Sequence, residues 1–174
     1  MKQRPSIADK RKASAKLQDQ RALCYRHADI SVGMPVYSLD ADRANRLKEG
    51  LQAAYEANKS VPVIVEGRRD AHALRKLGFS GEIITLHSGK SIYEFCEELT
   101  QKYDQVILLL DWDEKGDKLY STLTENLRGY WEEFSVFREN IRALCQKDIK
   151  DIESIPGLLE RLSGTEISIE DQCL

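Results

Sequence analysis

No apolar run in this sequence approaches the roughly 20 residues that span a bilayer. The N-terminus is basic and polar, without the apolar stretch of a secretory signal. A cytoplasmic protein with no membrane association is therefore the expectation. Cysteine is scarce and scattered: Cys24, Cys96, Cys145 and Cys173 never fall within two to four residues of one another. That spacing excludes a zinc knuckle or a thioredoxin-like redox pair and leaves four reduced thiols. The three histidines, His27, His72 and His87, form no ligand spacing either. Internal repeats and low-complexity segments are lacking. What is present is 174 residues with 41% hydrophobic and 32% charged side chains, suited to one soluble domain plus a tail.

The net charge of -3 conceals an asymmetry. Residues 1–28 hold eight basic residues (Lys2, Arg4, Lys10, Arg11, Lys12, Lys16, Arg21, Arg26) against Asp9 and Asp19, a balance of +6, so the remainder carries -9. A basic arm on an acidic body suits an anionic partner, because each cation placed near a phosphate releases a counterion. A solvated terminus without a partner accounts for the same charges. The arm is assigned to residues 1–37 and a folded domain to 38–174, with its core at about 61–137.

Apolar periodicity predicts a helix from Ser38 to about Asn58, with Leu47, Leu51, Ala54 and Tyr55 on one face and Ser38 or Asp40 as its cap. A strand at Val61–Val65 ends in Glu66 and Gly67. Asp70 is a good N-cap for a short helix through Leu77, which Gly78 stops. A second strand covers Glu82–His87, with a turn at Ser88 and Gly89. Ser91 and Glu94 make a capping box for a helix to about Tyr103. Gln105–Leu110 holds the most continuous apolar run, as a strand covered on both faces requires. The polar loop Asp111–Gly116 leads into a helix, beginning near Asp117, that ends near Gly129. Phe134–Phe137 reads as a short edge strand and Phe137–Gln146 as a helix. Ser154 caps a last helix, with Leu158, Leu159 and Leu162 on its apolar face and Gly164 as its stop. The alternation of strand and helix implies an α/β fold with a parallel sheet.

Ligands of such sheets bind beyond the carboxyl ends of the strands. Glu66 ends the first strand and Asp111 the third, with Asp113 two residues on. If the extended backbone continues that far, both aspartates point the same way while Trp112 points away, into packing. Converging carboxylates repel unless a cation joins them, and hard oxygen donors suit Mg²⁺ or Mn²⁺. Gly67 and Gly116 let the backbone turn beside the acids, and Arg68, Arg69, Lys115 and Lys118 lie close enough in sequence to meet a phosphate. A plain polar turn capped by Asp117 fits the same loop. A calcium loop does not, because its twelfth position is Thr122 where a bidentate glutamate is required. Asp70 fits a supporting cap better than a direct ligand.

Together, Val63-Ile64-Val65-Glu66-Gly67-Arg68-Arg69-Asp70 and Leu108-Leu109-Leu110-Asp111-Trp112-Asp113-Glu114-Lys115-Gly116 resemble the paired motifs of the Toprim domain shared by topoisomerases, primases and certain nucleases. The resemblance covers roughly Pro62–Gly129. It implies a sheet of about four mostly parallel strands between helices, with extra N- and C-terminal helices and Phe134–Phe137 as a weak fourth strand. It also implies an Mg²⁺ site, with Mn²⁺ as a substitute, at Asp111 and Asp113; Glu66 would be the acid/base or a further ligand. Gly67, Arg68, Arg69, Gly116 and Lys118 would meet phosphates, supported by Asp70. The implied function is Mg²⁺-dependent phosphoryl transfer on nucleic acid, first of all a nuclease on structured RNA, or on DNA, like the small stand-alone members that mature ribosomal RNA. The alternatives are primase-like nucleotidyl transfer and a non-catalytic nucleic-acid-binding subunit. A haloacid-dehalogenase-like phosphatase also uses Asp-x-Asp, but after its first strand rather than its third.

Overall fold

A computed structural model describes residues 36–86 and 89–163. Residues 1–35 of the expected arm, the Ser88 half of the expected turn, the Gly164 stop, Cys24 and Cys173 lie outside these described residues. Three parallel strands form the sheet, β1 (Val63–Val65), β2 (Ile83–Thr85) and β3 (Ile107–Leu108), in the order β2-β1-β3. The pairing continues past the strand ends, where Leu86 N–H donates to Val65 O and Leu109 N–H to Ile64 O, both at 3.0 Å.

Helices cover both faces, which is why the strands carry apolar residues without a polar alternation. Val63, Val65, Ile107 and Leu109 point to one side. There they meet Leu47 and Leu51 of α1 (Val36–Asn58), Leu74 of α2 (Arg68–Lys76), Ile141 of α5 (Ser135–Cys145) and Leu158 of α6 (Ile155–Ser163). Ile64, Val106, Leu108 and Leu110 point to the other. They pack on Phe95 and Leu99 of α3 (Ile92–Lys102) and on Leu123 of α4 (Glu114–Asn126). The result is the expected α/β layering of a parallel sheet between helices.

Several local expectations hold for the reasons given. Ser91 and Glu94 exchange the two bonds of a capping box, with Ser91 N–H donating to Glu94 Oε2 at 2.9 Å. Gly78 takes φ 93°, the left-handed conformation that ends α2 cheaply only for glycine.

Others are corrected. Phe134–Phe137 forms no strand: a single 3₁₀ turn (Glu132–Phe134) runs into α5, and the two rings stack at 5.8 Å. Aromatics three residues apart suit one helix face as well as a short strand, and burial against the sheet decided for the helix. Three strands, rather than about four, occur among the described residues. Ser38 and Asp40 lie inside α1, which starts at Val36. Asp70 is not the N-cap of α2 but sits one turn inside it, and its carboxylate accepts the Gly67 N–H at 2.8 Å. α4 starts at Glu114 with Asp113 as its cap, so Gly116 and Asp117 lie in its first turn.

Candidate active site at the carboxyl ends of the strands

β1 and β3 are neighbours, so the residues just beyond their carboxyl ends, Glu66 and Asp111, emerge side by side. Both segments enter the helices that follow within a few residues. Glu66 is 6% exposed and Asp70 5% exposed, unusual burial for carboxylates. Lys115 reaches across from α4 and places Nζ 3.3 Å from Glu66 Oε2.

Gly116 explains how the two strand ends come so close. A Cβ at this position would lie 2.4 Å from Asp111 O and 2.8 Å from Glu66 Oε1. Any larger residue would push α4 off the strand ends. Gly67 is different from what the sequence implied. Its φ of −143° is ordinary extended backbone, and an added Cβ would meet only Asp70 Oδ2 at 3.9 Å, so the turn there does not demand glycine.

The two aspartates of the Asp-x-Asp pair are held by different partners. Asp113 caps α4, accepting the Gly116 N–H at 2.7 Å. Asp111 accepts the Ile152 N–H at 2.9 Å. Between them Trp112 is 5% exposed and donates its indole N–H to Ile149 O at 2.8 Å, a packing role, while its backbone N–H goes to Lys150 O at 3.0 Å. Residues 149–152 thus lie along the end of β3 and close one side of the site.

Burial pushes the Asp111 carboxyl up to about 7, against the opposing Ile152 bond, and the nearby Asp70, Glu66 and Asp151 carboxylates push the same way. Asp70 is also raised, first by burial, with the Gly67 bond opposing and Glu66, Glu153 and Asp151 adding to the rise. Five acids from three separate segments therefore share one field. Among the described residues, no group of three His, Cys, Asp or Glu converges closely enough to hold an ion as the side chains stand.

Sequence reasoning missed two contributors. The segment carrying Asp151 has no motif, and only the fold brings it beside Asp111. The other is Arg138 on α5, 1% exposed. Its Nε donates to Leu110 O at 3.0 Å, and its Nη2 donates to Asp111 O at 2.5 Å and Asp117 Oδ1 at 2.7 Å. Arg142 adds a second pair of bonds to Asp117, at 3.0 and 3.2 Å. The guanidinium lies 4.2 Å from the Tyr120 ring centroid. Arg138 is the peg on which the Asp111 loop hangs. Nothing in advance set it apart, because Glu139, Asn140 and Arg142 stand beside it on the same helix.

Of the other residues expected to meet phosphate, Arg68 and Arg69 are exposed at the start of α2, and Lys118 forms an exposed pair with Glu114 at 2.7 Å. Cys96 and Cys145 are free and buried. Among the described residues no helix is long and apolar enough to cross a membrane.

A three-layer fold with acids at the ends of adjacent parallel strands is the arrangement of a Toprim domain, and the Toprim domain family matches residues 61–143. Small archaeal proteins resemble most of the chain. A UPF0292 protein of Thermoplasma volcanium is 39% identical over 115 residues, covering 64% of this chain and 93% of the relative. One from Methanosarcina acetivorans is 34% identical over 139 residues, covering 75% and 92%. A solved structure described as a putative protein from Aquifex aeolicus superposes with a TM-score of 0.52 at 31% identity, covering 63% of this chain and 97% of that one. The chain belongs to the UPF0292 family and carries a Toprim domain.

Proposed function

We propose that this protein carries out Mg²⁺-dependent phosphoryl transfer on nucleic acid, as a nuclease acting on structured RNA or on DNA. The observation that carries the reading is the pairing of Glu66 and Asp111 at the carboxyl ends of adjacent parallel strands, brought together over Gly116. Membership of a domain family that acts on nucleic acids supports it. So do the exposed cations Arg68, Arg69 and Lys115 around the acids, and the basic arm of residues 1–28.

The donor set fits a magnesium ion. Glu66, Asp70, Asp111 and Asp151 offer carboxylates, the chemistry Mg²⁺ selects, and the mutual repulsion that Lys115 offsets at Glu66 is what a cation would relieve. A cage of three protein ligands is not needed, because Mg²⁺ usually keeps several waters and takes one or two carboxylates plus substrate phosphates. Asp111 and Glu66 would hold it, with Asp113 joining if it releases the Gly116 amide. The ion, when bound, supplies Lewis-acid polarisation of a phosphoryl oxygen.

The remaining work falls to the chain. Glu66, buried and beside the Lys115 ammonium, takes or returns a proton at the reacting oxygen. Arg138 fixes the Asp111 carbonyl and so the reach of its carboxylate. Arg68 and Arg69 hold the scissile phosphate against the acids, which would otherwise repel it.

Glu66→Gln tests the reading, since it keeps volume and loses charge. Mg²⁺-dependent cleavage of RNA or DNA is expected to fall by roughly two to four orders of magnitude, while binding in EDTA stays at the wild-type level. Wild-type protein without Mg²⁺-dependent turnover on RNA, DNA or nucleotides would instead make it a Toprim-fold binding subunit.

A further inference from the structure

A cleft of about 480 Å³ opens between α2 and α6, beside the acids rather than at them. One wall is α2, whose Arg68, Arg69, His72 and Lys76 line it. At 1.5 Å per residue, Arg68 to Lys76 spans about 12 Å along the helix. The cleft starts where the site ends: Arg68 follows Glu66-Gly67 directly, and Glu153 on its other side is close enough to push up the Asp70 carboxyl.

The opposite wall has a different character. Glu153, Ser154, Pro156, Gly157 and Glu160 form it, with the exposed Gly157 at its middle, and a Cβ built on Gly157 would meet nothing within 4 Å. Glycine within a helix costs about 0.5–1 kcal/mol relative to alanine, and no packing contact here requires its absent side chain. Its effect is to keep the cleft open. Two exposed acids face the cations across the gap, Glu153 at 3.8 Å from Arg69 and Glu160 at 2.7 Å from Lys76. Exposed pairs of this kind contribute about 0–1 kcal/mol and yield readily to a stronger anion.

We propose that this cleft is the track for one single strand of nucleic acid leading to the carboxylates, with its phosphates along α2 and its sugars and bases over Pro156 and Gly157. The inference rests on the nucleic-acid reading above and adds the strand's path and its single-stranded character. A row of cations facing a wall whose uncharged middle, Pro156–Gly157, lies between Glu153 and Glu160 matches a splayed strand, which presents phosphates on one side and base faces on the other. A duplex buries its base faces and offers phosphates on its outer surface, so the Pro156–Gly157 wall would have no partner.

The test is fluorescence anisotropy in EDTA with the full chain, using a labelled single-stranded RNA oligonucleotide and a duplex of the same sequence. Arg69→Gln with Lys76→Gln is expected to weaken strand binding and flatten the slope of log affinity against log salt by about 1.4, at ~0.7 per phosphate contact. Gly157→Gln is expected to weaken binding at least several-fold while melting at or above the wild-type temperature, because it fills the cleft with a better helix former. Glu160→Gln is expected to tighten binding. Wild-type binding and slope in the first variant, wild-type binding in Gly157→Gln, or equal affinity for the duplex would each overturn the track. If the cleft variants bind like wild type while Glu66→Gln still loses cleavage, the catalytic reading stands and the strand enters elsewhere.

Discussion

Replacing Arg138 by methionine asks how much of the site depends on one buried cation. The guanidinium is 1% exposed and supplies hydrogen bonds to Leu110 O, Asp111 O and Asp117. Methionine keeps the stem and gives no donor. Asp117 retains Arg142, so the loss concentrates on the two carbonyls at the end of β3. A buried acceptor left without its partner costs about 1–3 kcal/mol, which for two gives roughly 2–6. The desolvation already spent on a buried arginine is recovered in the variant and pulls the net to the lower end, about 2–3 kcal/mol. At ~2–4 °C per kcal/mol for a chain of this size, the melting temperature should fall by about 4–12 °C. Arg138→Lys keeps the charge without the planar fork and should lie between the two. The assay is thermal unfolding by circular dichroism in EDTA, joined to Mn²⁺ titration calorimetry at a temperature where all three proteins are folded. Because the Asp111 carbonyl is released, Mn²⁺ affinity should fall in Arg138→Met even among folded molecules. A variant within about 0.5 kcal/mol of wild type, with unchanged Mn²⁺ affinity, would refute the reasoning, since surface-like substitutions stay within that range.

Gly116→Ala should cost about 1–3 kcal/mol and impair cleavage, because its Cβ would sit 2.4 Å from Asp111 O; urea unfolding with an unshifted midpoint would show that α4 moves freely. In metal-free buffer Asp111 destabilises the fold as it ionises, since burial raises its folded-state value to about 7 from an ordinary 3.8. Its folded form binds the proton more tightly, so stability falls as pH rises through that window. Asp111→Asn should gain on wild type in melting temperature from pH 5 to pH 8, and a shrinking gap would reverse the sign. Burial holds the Cys145 thiol up at about 12 and raises Cys96 as well. Both should resist iodoacetamide at pH 8 until guanidinium unfolds the chain, as peptide mapping by mass spectrometry would show.

The sheet was legible because its strands are buried on both faces, which leaves uninterrupted runs such as Val63-Ile64-Val65 and Val106–Leu110. Caps that act within four residues were partly legible. Ser91 and Glu94 formed the expected box, while Asp113, not Asp117, proved to start α4 because its carboxylate reaches the Gly116 amide. The two acids flanking the strands were legible from their position alone. What completes their surroundings was not. Arg138 looks like any surface arginine until α5 docks on β3, and the Ile152 amide that holds Asp111 lies 41 residues away with no motif around it. Phe134–Phe137 misled because two rings at that spacing suit either state, and only tertiary packing chooses.

The bonds from residues 149–152 to the end of β3 also set an order of events during synthesis. Pairing of β1, β2 and β3 needs nothing beyond Leu109, whereas the Asp111 carboxylate gains its Ile152 partner 41 residues later. At 5–20 residues per second, that interval lasts about 2–8 s on the ribosome. Over that interval the Asp111 carboxylate lacks its Ile152 partner, and Ile141 and Leu158, which cover one face of the sheet, are also still to come. The covered sheet and the enclosed acid are therefore completed together, when residues 135–163 fold back on β1 and β3.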